Sequence, residues 1–384
     1  MKKKILSLCV EDGRYSIAEL SKHTGTSVPT VTKLIGELIE EGFLVDLGKL
    51  GTSGGRRPSI YGLNPSAGYF IGVDVGTHAA SIAVTDFKGE LIAYKEDIPF
   101  EMEAKEDNYH RIADSIRKFF LQNSLDWSKA LGCGVSFTGR VNPNTGYSYS
   151  YSFDEKVRID HLLADDLGFP VYIENDSRAM TYGEYLSNKK NEQNMLFINI
   201  SWGLGMGLVL NKKLFYGKSG FSGEVGHFPY MNNDIICRCG KIGCLETGAS
   251  GSALYRMVLE RLKEGRASSL TPKFQKDGKI SLVDILQAVK EEDVLAIEVV
   301  EEIGATLGRA LAGLINIFNP EVVVIGGRLA VGGDYLMLPI KSAVRRLAQN
   351  FVAKDTTIVF TKLGLKAVPV GDCLIARSKM LDIL

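Results

Sequence analysis

The sequence predicts an α/β protein, with a winged helix-turn-helix over residues 1–64 and a two-lobed α/β body over residues 65–384. Three observations carry this reading. The first sixty residues hold three short helical signals and then two short strands around a glycine-rich, basic tip. From Tyr69 the texture changes to apolar strands that end in turns. The order of hairpin strands, helix and strand then occurs twice, which fits two similar lobes with a cleft between them.

The N-terminal elements follow from local signals. Ile5, Leu6, Leu8 and Cys9 give the first helix an apolar face, ended by Asp12-Gly13. Ser16-Ile17-Ala18-Glu19 is a capping box: the serine caps the first turn and the glutamate reaches back to it. The helix it opens turns Ile17, Ala18 and Leu20 inward and stops at Gly25. Ser27 caps the third helix, with Pro29 tolerated in its first turn. Val31, Leu34, Ile35, Leu38 and Ile39 then form one buried stripe at helical spacing. Phe43-Leu44-Val45 and Ser59-Ile60-Tyr61 make the hairpin. On the outer side of the third helix, Ser27, Thr30, Thr32 and Lys33 are short or basic groups able to reach base edges in a major groove. Arg56 and Arg57 in Gly54-Gly55-Arg56-Arg57-Pro58 suit phosphates or a narrow minor groove. Double-stranded operator DNA is the expected partner. A winged helix used only for protein contacts would leave that arginine-bearing tip without a purpose.

Composition bounds the rest. Lys plus Arg and Asp plus Glu are 45 each, and hydrophobic residues are 45%, so neither wholesale disorder nor a uniformly basic chain fits. The apolar start stops at Glu11-Asp12, too soon for a signal peptide. The uncharged stretch from Gln193 to Asn211 is broken by Asn194, Asn199, Ser201 and spaced glycines, so it reads as a strand pair and not a membrane span. A cytoplasmic protein without membrane contact is expected. Cys9, Cys133 and Cys373 are solitary, while Cys237, Cys239 and Cys244 crowd together, which is not a disulfide framework.

In the body, Tyr69–Gly76 is an apolar strand whose turn bears Asp74, and Ser81–Asp86 and Leu91–Tyr94 continue as strands. A helix is expected near Tyr109–Asn123, then a buried strand over Gly132–Phe137. Val171–Asp176 delivers an Asn-Asp pair at the mouth of a helix over Ser177–Leu186. The second set begins at Met195–Ile200, and Glu301–Phe318 is an apolar helix fit for core or dimer contact. His227, Cys237, Cys239 and Cys244 offer one imidazole and three thiolates, a ligand set that suits a closed, structural, tetrahedral zinc site over residues 227–246. Gly240 and Gly243 let the loop turn tightly.

The body resembles the ROK family of repressors, open reading frames and sugar kinases, with its hexokinase–actin fold, and the chain is similar to its repressor branch throughout. The stretches that carry this are Gly223-Glu224-Val225-Gly226-His227, the string Cys237-Arg238-Cys239-Gly240-Lys241-Ile242-Gly243-Cys244-Leu245-Glu246, and Ile315–Glu321 continuing through Val324–Gly327. The resemblance implies that Asn175, Asp176, Glu224, His227 and Glu246 hold a sugar or sugar phosphate, with His227 also on zinc. These are the polar acceptors that a site reading hydroxyls needs. In a kinase of this kind Asp176 would be the base.

The phosphate side departs from the family. Its kinases carry Asp-x-Gly-Gly-Thr-Lys at the first turn, where this chain has Asp74-Val75-Gly76-Thr77-His78-Ala79. The second glycine-rich loop is Ser201-Trp202-Gly203-Leu204-Gly205-Met206-Gly207, with Trp202 and Met206 adding bulk where small residues should bare their amides. The expected function is therefore a sugar-responsive transcriptional regulator, a repressor acting as a homodimer or homotetramer, with kinase activity lost. An ATP-dependent sugar kinase, or a regulator controlled by a protein partner, are the alternatives. Ser136–Val141 also departs from the family's Gly-Ile-Pro-Gly-Pro-Val through Arg140, and Tyr147, Tyr149 and Tyr151 alternate after it, lining either a strand face or a different sugar's pocket.

Overall fold

The computed structural model describes residues 1–49, 58–154, 156–187 and 192–384. It divides into two units: residues 1–179 with 368–384, and residues 180–367.

The first unit opens with α1 (Lys2–Asp12), β1 (Arg14–Ser16), α2 (Ile17–Thr24), α3 (Val28–Glu40), β2 (Leu44–Lys49) and β3 (Ser59–Leu63). The capping box forms as expected: Ser16 accepts from the Glu19 amide, and Glu19 accepts from the Ser16 amide at 2.8 Å. Ser27 caps α3. Val31, Ile35 and Leu38 are buried, but Ile39 at the end of the stripe is 38% exposed. Ala18 is exposed as well; Tyr15, which β1 turns inward, is buried beside Leu20 and Thr24. The sheet has three strands, ordered β1-β3-β2, because Arg14–Ser16 pairs with Ser59–Leu63. Three residues are too few for a periodic signal, so the sequence hid this strand.

The same unit continues with β4 (Tyr69–Val75), β5 (Ala79–Asp86), β6 (Leu91–Pro99), α4 (Glu106–Gln122), β7 (Ala130–Phe137), the small hairpin β8 (Val141–Asn142) and β9 (Tyr147–Ser148), α5 (Ile159–Leu167), β10 (Val171–Asn175) and the start of α6 (Asp176–Ser187). Its main sheet is ordered β10-β7-β4-β5-β6. Alternation decides its two faces. Ile71, Val73 and Val75 point into a core with Tyr109, Ile112 and Ile116 of α4 and Leu163 of α5. Gly72 and Gly134 fall on the opposite face. A Cβ on Gly72 would stand 1.8 Å from the Pro369 carbonyl oxygen, so the C-terminal helix rests on bare backbone there.

The second unit holds β11 (Met195–Ile200), β12 (Leu204–Leu210), β13 (Lys213–Leu214), α7 (Gly251–Lys263), α8 (Thr271–Asp277), α9 (Leu282–Lys290), α10 (Val294–Phe318), β14 (Val322–Gly326), α11 (Asp334–Leu347), α12 (Asn350–Asp355) and β15 (Thr357–Phe360); α13 (Ala367–Met380) ends the helices. The sheet is ordered β13-β12-β11-β14-β15, and β11 and β12 are the strand pair expected within 193–211. The apolar helix expected from Glu301 begins earlier, at Val294, capped by Asp293. Its central residues Ile303, Leu307, Leu311 and Ile315 lie in the unit's core. No helix among the described residues is long and apolar enough to cross a membrane.

Candidate effector, metal and DNA-binding sites

The winged helix places its outward residues as short side chains on α3. Thr30 and Thr32 are exposed, and the Lys33 side chain is 79% exposed, 3.9 Å from Glu37. Three hydroxyls have local work. Ser27 Oγ accepts from the Thr30 amide and shares a 2.8 Å hydrogen bond with Thr30 Oγ1, and Thr32 Oγ1 donates to the Val28 carbonyl at 2.8 Å. Lys2 of α1 bridges Glu37 and Glu41 at 2.8 and 2.6 Å, fastening α3. Arg56 and Arg57 lie outside the described residues.

The module is joined to the body by aromatic packing. Phe43 meets Phe87 with centroids 5.4 Å apart, and Phe87 stacks on Phe70 of β4 at 5.9 Å. The Asn64 side chain donates to the Gly42 carbonyl at 2.7 Å and caps the turn Pro65–Ala67. At the other end of the module, Lys3 pairs with Asp382 at 2.8 Å.

Strand β10 delivers Asn175 and Asp176 at a strand-to-helix corner. Asp176 Oδ1 accepts from the Ser177 amide at 2.7 Å and from Asn175 Nδ2 at 2.8 Å. The cap of the helix that begins at Asp176 is Asn175, whose Oδ1 accepts from the Arg178 amide at 3.2 Å. Behind the corner, buried Glu174 pairs with buried Arg178 at 2.6 Å. Asp372 is a further polar residue that the sequence does not single out. It is wholly buried, accepts a 2.6 Å bond from Ser136 Oγ, and has no partner for Oδ2 among the described residues. Burial pushes its carboxyl well above the usual range, and the nearby charges of Asp74, Glu174 and Asp176 push the same way. A single aspartate in an apolar helix gave no signal for this.

In the second unit the metal set comes together. The ligand atoms of His227, Cys237, Cys239 and Cys244 all lie within 4.8 Å of one another. Cys237 Sγ is 3.6 Å from His227 Nδ1, and Cys239 Sγ is 3.6 Å from Cys244 Sγ. Tetrahedral zinc with bonds of about 2.3 Å to sulfur needs such edges, roughly 3.7 Å long. The four donors therefore fit the ion in number, chemistry and spacing. Burial pushes the free Cys237 thiol up to about 12, so a metal displaces its proton. Gly240 and Gly243 both have positive φ, as the tight loop requires. Glu224 and His227 stand together, Oε2 to Nε2 at 3.7 Å, which leaves Nδ1 on the metal side. Glu246 Oε2 accepts from the Leu204 amide at 3.0 Å, and Oε1 lies 3.7 Å from Cys237 Sγ. Of the five residues expected to face a sugar, Asn175 and Asp176 belong to the first unit, and Glu224, His227 and Glu246 to the second.

The phosphate turns are short. Gly76 N–H donates to the Ala79 carbonyl at 2.9 Å, closing the hairpin between β4 and β5. His78, in the turn, pairs with Glu101 at 2.9 Å. Between β11 and β12 only Ser201–Gly203 form the turn. Met206 was read as bulk in this loop, but it lies in β12 opposite Ile198 and its side chain is buried in the core. Alternation along β12 explains this: Leu204, Met206 and Leu208 share the inward face. Trp202 remains in the turn, 44% exposed, its ring 5.7 Å from that of Tyr255.

A winged helix joined to a body of two repeated sheets, with a loop of one histidine and three cysteines and an Asn-Asp corner, defines a DNA-reading module on a sugar-kinase-like frame. Residues 70–379 match the ROK family, and residues 1–45 match a winged helix-turn-helix DNA-binding domain. The chain belongs to the ROK family. It is 29% identical to the xylose repressor of Caldicellulosiruptor bescii over 98% of this chain and 95% of that one. It is 31% identical to the glucokinase of Halalkalibacterium halodurans over 79% of this chain and 93% of that one. Among solved structures, a ROK family transcriptional regulator described as a homolog of the Escherichia coli MLC protein superposes with a TM-score of 0.83 at 27% identity, covering 100% of this chain and 96% of that one.

Proposed function

We infer that this chain is a sugar-responsive transcriptional repressor. The module over residues 1–64 reads operator DNA through Ser27, Thr30, Thr32, Lys33, Arg56 and Arg57, and the body over residues 65–384 binds a sugar that resets the affinity. The observation that carries this is the pairing of a winged helix with a kinase-like body whose polar sugar set is complete. That set is Asn175, Asp176, Glu224, His227 and Glu246. Repressors that match this chain over nearly its whole length favour the same reading.

The residues have separate tasks. Asp176, oriented by Asn175 and the Ser177 amide, accepts from a sugar hydroxyl. Glu224, His227 and Glu246 take others, and a zinc ion held by His227, Cys237, Cys239 and Cys244 would keep their loop in shape. With four protein ligands such a site would be closed and structural. Phosphoryl transfer is lost, because His78 and Ala79 stand where the kinases place threonine and lysine, and Trp202 crowds the second turn. We place the protein in the cytoplasm as a homodimer or homotetramer, which matches two half-sites of an operator.

The test is fluorescence anisotropy of the full chain on its own upstream DNA at fixed salt, with free and phosphorylated sugars titrated in. One sugar should lower DNA affinity severalfold. Tight DNA binding that no sugar alters would favour control by a protein partner, and Mg-ATP-dependent turnover of a hexose at ordinary enzymatic rates would restore the kinase reading.

A further inference from the structure

We propose that Arg140, stacked on Tyr149, is an oxyanion subsite beside Asn175, and that the effector is a sugar carrying a phosphate or carboxylate. The proposal rests on the reading of the chain as a sugar-binding regulator and narrows its ligand.

Three consecutive carbonyls hold the Arg140 backbone. Gly139 O accepts from Asn175 Nδ2 at 2.9 Å, Arg140 O accepts from the Tyr149 amide at 3.0 Å, and Val141 O accepts from Arg178 Nη2 at 3.0 Å. Two of those donors belong to the corner that presents Asp176. Arg178 is itself buried and fixed by Glu174, so the clamp is rigid. The Arg140 backbone is therefore set relative to Asn175 and Asp176 by the corner itself.

The side chain is prepared as well. The guanidinium lies 5.7 Å from the centroid of Tyr149, and Tyr147 braces Tyr149 edge-on at 5.0 Å. Tyr149 is 54% exposed. Stacking occupies the flat face of a guanidinium and leaves its in-plane N–H fork free, the geometry that grips phosphate or carboxylate through two parallel bonds. Arg140 has no ion-pair partner among the described residues. In the same segment, Tyr151 Oη lies 3.2 Å from Thr138 Oγ1 and 3.4 Å from Thr77 Oγ1, and the Tyr151 carbonyl accepts from Tyr109 Oη at 2.6 Å. A surface arginine that served only solvation would need neither this clamp nor the tyrosine brace. A neutral hydroxyl gains little from a full cation, whereas an oxyanion forms charge-assisted bonds roughly twice as strong as neutral ones.

The test is isothermal titration of the full chain with matched pairs: glucose against glucose 6-phosphate and glucuronate, xylose against xylonate, and N-acetylglucosamine against its 6-phosphate. At least one anionic sugar should bind ten or more times tighter than its neutral parent. Arg140→Ala should abolish that preference while leaving the neutral parent's Kd within twofold, and Arg140→Lys should restore only part of it. A preference confined to phosphates identifies a sugar phosphate, and one confined to uronate or aldonate identifies a sugar acid. Neutral sugars binding as tightly as their anions, or a preference that survives Arg140→Ala, would overturn the subsite and leave the regulator reading standing. Binding of no sugar at all would overturn both. Since Arg140 is exposed, a thermal midpoint unchanged by Arg140→Ala will confirm that the variant is folded.

Discussion

Strands β6 and β13 hold the same edge place in sheets of one plan, three antiparallel strands followed by two parallel ones. β6 runs over nine residues and the chain soon enters α4. β13 has two, and residues 215–250 then contain only isolated β-bridges and single-turn helices. That segment exposes Phe228, Ile236 and Ile242 at 54%, 71% and 56%. It has too little buried apolar surface to hold its own shape, and the cluster of His227 with Cys237, Cys239 and Cys244 stands where a core would be. The first unit reaches rigidity by the opposite route, through close backbone contact between Gly72 and α13. One frame thus carries a donor cluster suited to a metal in one copy and a close steric fit in the other.

Removing the metal should break this contrast most strongly. Cys244→Ser should take zinc from about one per chain to none, open residues 228–243 to proteolysis, and weaken sugar binding by at least about tenfold. DNA affinity without sugar should stay within twofold. Metal analysis, limited proteolysis and titration read these outcomes together. Full zinc content in the variant would count against Cys244 as a ligand.

Next in size is Gly72→Ala. The added methyl meets the Pro369 carbonyl, and the forced shift of α13 should cost about 3 kcal/mol, read from urea unfolding. A cost below about 1 kcal/mol would mean that α13 adjusts freely and that steric fit does not set the unit's stiffness. Asp372→Asn should act least and in the stabilising direction. The native carboxyl keeps its proton, whereas the unfolded chain releases one above a pKa of about 3.9, so stability from this group declines as pH rises past that value. The amide carries no such slope. The variant's thermal midpoint should gain on the parent as pH rises from 5, by about 2–4 °C for each kcal/mol, until the native carboxyl itself ionises. A gap that does not widen with pH would show that Asp372 is ionised in the native state.

Legibility in the sequence followed the same division. The metal loop and the caps of α2 and α3 were legible because their chemistry is local: fixed spacing of few residue types, or a serine three positions before its partner. Met206 was misread because a run of glycines looks like a loop until pairing with Ile198 sets its alternation. Asp372, the Gly139–Asn175 bond and the Arg178–Val141 bond depend on residues distant in sequence, and no local pattern encodes them. The face of α3 was readable as exposed, yet not that Thr32 spends its proton on Val28.

The aromatic join of Phe43, Phe87 and Phe70 has a mechanical consequence. A reading head on a slack tether would search for its half-site independently of the sugar-binding body, and any rotation of the body would be lost in the tether. Here Phe87 links the head to β4, so a turn of that sheet would carry the head with it. Such a mount trades reach for fidelity: a reader held this way has little freedom to seek DNA independently of the body.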